Sequence, residues 1–136
     1  MKAEYTKAQD IINKSRLQLE TILKAAENNK ALEDKEAYYT LDNIIERLER
    51  AEDYLNYLNT PTKKGILMLN HDNNKYYIAY DDGTESYDLS CGYKLELFLD
   101  DEWNIGRVEA RGDGEYYFYG CGKPSLFTGM KARKRI

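Results

Sequence analysis

Apolar and small residues recur every three and four positions through the first 60 residues of the chain, and every second position after them. In the first run Tyr5, Ala8, Ile12, Ser15, Leu19, Ile22 and Ala26 make a heptad stripe along one side of a helix. Ile11 and Leu23 widen it, while Lys7, Asp10, Lys14, Gln18 and Glu27 fall elsewhere on the cylinder. Asn28-Asn29 is the natural break, because asparagine tolerates the left-handed conformation that ends a helix. The second run carries Ala37, Leu41, Ile44, Leu48, Ala51, Leu55 and Leu58, with Tyr38, Ile45 and Tyr54 beside it. A short connection between two such helices predicts an antiparallel, coiled-coil-like hairpin packed through these stripes. Glu46, Arg47, Glu49, Arg50, Glu52 and Asp53 are expected on its solvated face. A two-helix hairpin buries one seam only, so it is expected to lean on the rest of the chain or to form a homodimer.

Thr60-Pro61-Thr62 ends the second helix, since proline cannot continue it. This divides the chain into a helical hairpin, residues 1–60, and a β domain, residues 61–136. Residues 65–70 and 75–80 read as strands joined by a turn at His71-Asp72-Asn73-Asn74, with another turn at Asp81-Asp82-Gly83. Three more strands are expected at residues 93–99, 103–110 and 115–119, and a last one at 131–136. Six short extended pieces in about 70 residues predict a strongly bent antiparallel barrel, with Gly106 and Gly120 at bends. The fold class is α+β.

Composition narrows the partners. Twenty Lys and Arg against 24 Asp and Glu leave a net charge of −4, which argues against a general nucleic-acid binder, because phosphate affinity comes from clustered cations. The charge is uneven: nine cations face twelve acids over residues 1–60, seven face twelve over 61–130, and the last six residues add four cations. No apolar run approaches the ~18 residues of a membrane span, and the N-terminus lacks a signal-peptide core, so a cytoplasmic protein is expected. In that compartment Cys91 and Cys121 are expected to be free thiols. With His71 as the single histidine and no closely spaced ligand pairs, neither a metal nor a cofactor is expected.

The β region carries a recognisable arrangement: Gly65-x-Leu67, Lys75-Tyr76-Tyr77-Ile78, Leu89-Ser90-Cys91-Gly92 leading to Leu95-Glu96-Leu97, Trp103 with Arg107-Val108-Glu109, Tyr116-Tyr117, and Gly129 before Lys131-Ala132-Arg133. Over residues 65–136 it resembles a short uncharacterised domain family of Gram-positive bacteria and their plasmids, conjugative elements and phages. The resemblance implies an SH3-like small barrel and a mobile-element setting. It brings no catalytic motif, and the hairpin lies outside it.

No nucleophile, base and orienting acid stand in a catalytic pattern, and the paired acids Asp81-Asp82 and Asp100-Asp101-Glu102 sit in turns without an apolar pocket. No enzyme is expected. The excess of tyrosine says more, with thirteen in the chain. Neighbours on a strand face opposite ways, so one of Tyr76 and Tyr77, and one of Tyr116 and Tyr117, must point outward. Outward tyrosines beside acidic turns predict a protein-binding surface made of Tyr76, Tyr80, Asp81, Asp82, Asp100, Asp101, Tyr116 and Trp103. Trp103, Arg107 and Glu109 share one strand face, where they form a packing and charge cluster. The leading expectation is a non-enzymatic protein-binding module of a mobile genetic element. Its sharpest form is an inhibitor of a CRISPR effector nuclease that offers carboxylates where phosphates would lie. The alternative is a nucleic-acid-binding or transcription-regulatory accessory protein using Lys63, Lys64, Lys131, Arg133, Lys134 and Arg135 with exposed tyrosines. Cations and tyrosines on a common face would favour the alternative.

Overall fold

A computed structural model describes residues 3–28 and 33–136, which divide into two compact units at Thr60 and Pro61. Asn29, half of the expected break between the helices, lies outside the described residues.

The first unit is a pair of helices, α1 (Ala3–Asn28) and α2 (Lys35–Asn59). Asp34 caps α2 by accepting a hydrogen bond from the Glu36 backbone N–H, and Thr60 closes it by donating its own N–H to the Asn56 and Tyr57 carbonyls. The helices pack together along one edge of the heptad stripes: of the twelve stripe residues from Ala8 to Ala26 and from Leu41 to Leu58, ten are half-buried, and Ile22 and Ile44 are exposed. Asn13 donates to Glu52 at 2.7 Å, Arg16 pairs with the same carboxylate, and Gln9 joins Asn56 and Asn59. Leu23 and Ile45 are the buried apolar residues of this seam. The expectation that Glu52 is solvated is therefore corrected: it is 9% exposed and sits inside the interface. The guanidinium of Arg16 makes that burial possible, and its hydrogen bond holds the Glu52 carboxyl below its ordinary pKa. The most buried line, through Leu23, Ile45 and Glu52, therefore runs beside the stripes rather than along their centre.

The second unit is a six-stranded antiparallel sheet. Its strands are β1 (Thr62–Asn70), β2 (Lys75–Tyr80), β3 (Lys94–Leu99), β4 (Glu102–Ala110), β5 (Tyr116–Tyr119) and β6 (Lys131–Arg135), ordered β2-β1-β6-β3-β4-β5. The chain's last strand therefore lies in the middle, paired with β1 through Gly65↔Ala132 and with β3 through Leu97↔Ala132. One face is the core, where Leu67, Ile78, Leu95, Leu97, Val108, Phe118 and Ala132 are fully buried, with Leu89, Leu126 and Met130 from the connections. The sheet bends but no strand pair closes it. Its two edges are shielded by the connections instead: residues 84–89 hydrogen-bond along β2 and residues 124–126 along β5. Asp100 and Asp101, both with positive φ, make the tight turn from β3 to β4.

Close approach explains two glycines. A Cβ on Gly65 would stand 2.2 Å from the Ala79 carbonyl oxygen, and one on Gly106 would stand 2.5 Å from both the Phe118 ring and the Tyr119 carbonyl oxygen. The Phe118 ring lies on the bare backbone of Gly106 and Gly120, which lets the sheet bend tightly around it. Gly106→Ala is expected to cost about 1–3 kcal/mol in urea unfolding. Gly112→Ala, with open space around its Cβ position, is expected to change stability by less than about 0.5 kcal/mol.

Candidate functional site

Strand alternation gives the sheet a second, outward face, and one buried carboxylate organises it. Glu96 lies between Leu95 and Leu97 but points away from the core, and it is only 1% exposed. Arg133 donates to its Oε1 at 2.8 Å and Arg135 to its Oε2 at 2.8 Å, both from the neighbouring strand β6. Burial alone would raise the Glu96 carboxyl. The hydrogen bonds from Arg135 and Arg133 outweigh it and hold the pKa below the ordinary value of 4.5.

One of the two arginines is in turn covered by a ring face. The Arg133 guanidinium lies 4.4 Å from the Trp103 ring centre, and Trp103 leans on Phe98 at 5.2 Å, with Lys131 5.5 Å over Phe98. Next to these, Arg107 lies 4.4 Å over Tyr119 while pairing with Glu109 at 2.6 Å, and Arg111 lies 4.4 Å over Tyr117. Across β1, β6, β3 and β4 the outward positions hold six cations, Lys64, Lys94, Arg107, Lys131, Arg133 and Arg135, against the two carboxylates Glu96 and Glu109. Most of the unit's remaining acids stand in turns and connections. The outward face is therefore a cationic, aromatic surface on a chain of net negative charge. Lys64, Ile66, Asp81, Phe98, Trp103 and Lys131 line a cavity of about 420 Å³ on it.

The residues expected to bind nucleic acid are brought together, because β1 and β6 are adjacent. Lys63 stands opposite Lys134, and Lys64 opposite Arg133. They split between the faces, however. Lys64, Lys131, Arg133 and Arg135 point outward, whereas Lys63 and Lys134 cap the inner face at its end. There Lys63 lies 4.4 Å over Tyr80 and 2.9 Å from Asp82, and Lys134 lies 4.3 Å over Tyr93. Burial, and then the nearby Lys94, lower the Lys134 pKa; burial pushes the Tyr93 hydroxyl up to about 12.

The residues expected to bind protein do not form one patch. Tyr80 is 8% exposed and belongs to the core. Tyr76 and Tyr116 pack against the core and meet in a groove with Asp113 and Glu115, where the ends of the bent sheet face each other. Asp82 is held by Thr84 and Lys63, which bring its pKa to about 2. Asp100 and Asp101 form the β3–β4 turn. Trp103 is on the outward face, in the same cavity as Asp81. The cluster read from Trp103, Arg107 and Glu109 has a different composition: Arg133 covers Trp103, while Arg107 turns to Tyr119. Glu96, the centre of the site, was hidden in the sequence between two leucines. A carboxylate in the middle of an apolar strand, with an Arg-x-Arg pair near the C-terminus, was the available signal.

His71 is exposed in the turn between β1 and β2, and Cys91 and Cys121 are exposed and unpaired. No group of three or more His, Cys, Asp or Glu able to hold a metal ion occurs among the described residues. No helix among them is long and apolar enough to cross a membrane.

Removing the central carboxylate tests this arrangement. Glu96→Ala is expected to cost about 3 kcal/mol in chemical unfolding, because it strands two partly buried guanidinium groups. Glu109→Ala, at a more open pair, is expected to cost less than about 1 kcal/mol. Since Glu96 has a depressed pKa when folded, its contribution is complete above pH 4.5 and is lost as pH falls through the folded value. Wild-type stability is therefore expected to drop below pH 4.5 more steeply than that of Glu96→Gln in acid titrations of the unfolding midpoint.

Residues 65–134 match the model of a family described as "Domain of unknown function (DUF5348)". A solved crystal structure of a protein from Ruminococcus gnavus, a structural-genomics target, is 27% identical; the match covers 52% of this chain and 99% of that one, with a TM-score of 0.45. No curated protein matches.

Proposed function

The chain belongs to the DUF5348 family through its β unit, and on that premise we propose that this unit is a non-enzymatic nucleic-acid-binding module that works through the outward face of its sheet. The observation that carries the reading is the sharing of one face by six cations and the rings of Phe98, Trp103, Tyr117 and Tyr119. Phosphates need cations that can shed their counterions, and bases need flat apolar platforms. Lys64, Lys94 and Lys131 are exposed and supply the first. Phe98 and Trp103 in their cavity supply the second. Arg133 and Arg135, committed to Glu96, act as the rigid floor. In this reading the module is an accessory or regulatory factor of a mobile element, and the overall negative charge restricts binding to the one face that escapes it.

A protein partner, with a CRISPR effector nuclease as its sharpest form, is the second reading. The groove that joins Tyr76 and Tyr116 to Asp113 and Glu115 favours it, because it pairs tyrosine surface with carboxylates. Tyr76 and Tyr116 spend part of that surface on the core, so the outward face ranks first.

Fluorescence anisotropy with labelled 20-nucleotide single strands and duplexes, over a range of salt, separates the two. Binding is expected to weaken with salt, at a log–log slope of about −2 to −3 for three or four phosphates on a single strand. The double variant Lys64→Glu, Lys131→Glu is expected to lose at least about tenfold in affinity, while Asp113→Lys is not expected to weaken it. Absence of binding at low salt, or indifference to the charge reversals, would overturn the reading.

A further inference from the structure

The acids of the outward sheet face, Glu96 and Glu109, are each held by arginine. Asp81, at the end of β2, is not. It lines the same cavity as Phe98, Trp103, Lys64 and Lys131. Its backbone N–H donates to the Lys64 carbonyl at 2.9 Å, and Gly83 donates to the Tyr80 carbonyl across the turn at 3.0 Å, so the residue is held in place on both sides. Its neighbour Asp82 is occupied by Lys63 and Thr84. The Asp81 side chain is exposed and carries no hydrogen bond or ion pair among the described residues. We propose that Asp81 makes this cavity a guanine pocket, so that the outward face selects an unpaired guanine in a single strand. The inference rests on the nucleic-acid reading above and adds base specificity to it.

A phosphate gains nothing from a carboxylate, which only accepts hydrogen bonds and repels anions. A carboxylate beside two rings calls instead for a flat ligand with N–H donors on its edge. The bases differ there. On its Watson–Crick edge guanine presents two adjacent donors, N1–H and the N2 amino group, which match the two oxygens of one carboxylate in charge-assisted hydrogen bonds. Adenine and cytosine each present an amino group beside a ring nitrogen whose lone pair repels the carboxylate. Uracil and thymine present one N–H between two carbonyls. In a duplex this edge is already paired, so the pocket takes a splayed-out base of a single strand, stacked on an aromatic side chain and read on its Watson–Crick edge.

The cavity has the parts for this. The rings of Phe98 and Trp103 stand 5.2 Å apart and are tilted by 57°. Arg133 covers Trp103 at 4.4 Å, whereas the Phe98 ring lies 5.5 Å below the exposed Lys131. A base stacking on Phe98 moves that lysine, on its flexible stem, to an adjacent phosphate, and Lys64 serves a second phosphate. The volume of about 420 Å³ accommodates one base.

Fluorescence anisotropy with labelled nine-nucleotide thymidine strands tests this, the central position carrying guanine, adenine, cytosine, hypoxanthine or thymine. The guanine strand is expected to bind at least about tenfold more tightly than the thymine strand. Hypoxanthine keeps N1–H but lacks the amino group, so its strand is expected to lose most of that preference. Asp81→Asn removes a negative charge, which strengthens every strand alike, and it replaces one acceptor with a donor. The variant is therefore expected to lose the preference for guanine in favour of adenine or cytosine, whose edges set a donor beside an acceptor. A merely structural Asp81 would not change the order of the bases. Equal affinity of the wild type for all five strands, or an unchanged order in Asp81→Asn, would overturn the guanine pocket and leave the outward-face reading standing. Absence of binding by every strand would overturn both.

Discussion

A carboxylate buried on the wrong side of a strand sets the form of the β unit. Glu96 leaves water almost completely, which would be prohibitive without compensation. Two guanidinium groups from the next strand supply that compensation with hydrogen bonds to both oxygens. Because those arginines come from the end of the chain, the ion triad fixes β6 between β1 and β3, in the register where Arg133 faces Glu96. A slip of one residue would turn both arginines into the apolar core and Ala132 out of it. Register specificity, more than net stability, is what a buried ion group of this kind contributes here.

The constraint also shapes the outer surface. Guanidinium groups held at Glu96 cannot remain fully hydrated, so they need flat, polarisable neighbours, and Trp103 supplies one. Lys131 over Phe98 and Arg107 over Tyr119 extend the same packing along the sheet. A sheet face that would otherwise be merely solvated becomes an ordered array of cations on rings. The acids that dominate the composition are displaced to turns, where Asp100, Asp101 and Asp82 serve backbone geometry and local hydrogen bonds. Net charge is then a poor guide to what either face can hold.

Much of this was legible in the residues. The change of period at Pro61 marks the boundary, and the six expected strands fall within a few residues of the observed ones, because alternation and turn residues act locally. Three features were not legible. Tyr76, Tyr80 and Tyr116 could not be assigned a side, since alternation separates neighbours without saying which of them faces the core. Barrel closure was expected, but the edges are shielded by irregular segments that show no periodicity. The commitment of Arg133 and Arg135 was hidden as well, because nothing in the pattern of the last six residues reveals that Glu96, some 40 positions earlier, will hold them.

The helical unit shows how a heptad can name the right neighbour and still miss the centre of the seam. The stripes line the contact, half-buried at ten of twelve positions, yet its most buried line runs through Leu23, Ile45 and Glu52 on their flank, where Asn13 and Arg16 hold the carboxylate. Centring the contact on the stripes alone would have left Glu52 and Arg16 on an open surface, where their attraction is worth little. Shifting the seam towards them adds a short polar zipper that fixes the hairpin's register beside the half-buried stripes. The buried polar pair sets the register of the two helices, and the apolar stripes beside it supply apolar contact. A polar line that specifies register, set beside apolar stripes that pack, accounts for both the buried Glu52 and the half-buried stripe residues next to it.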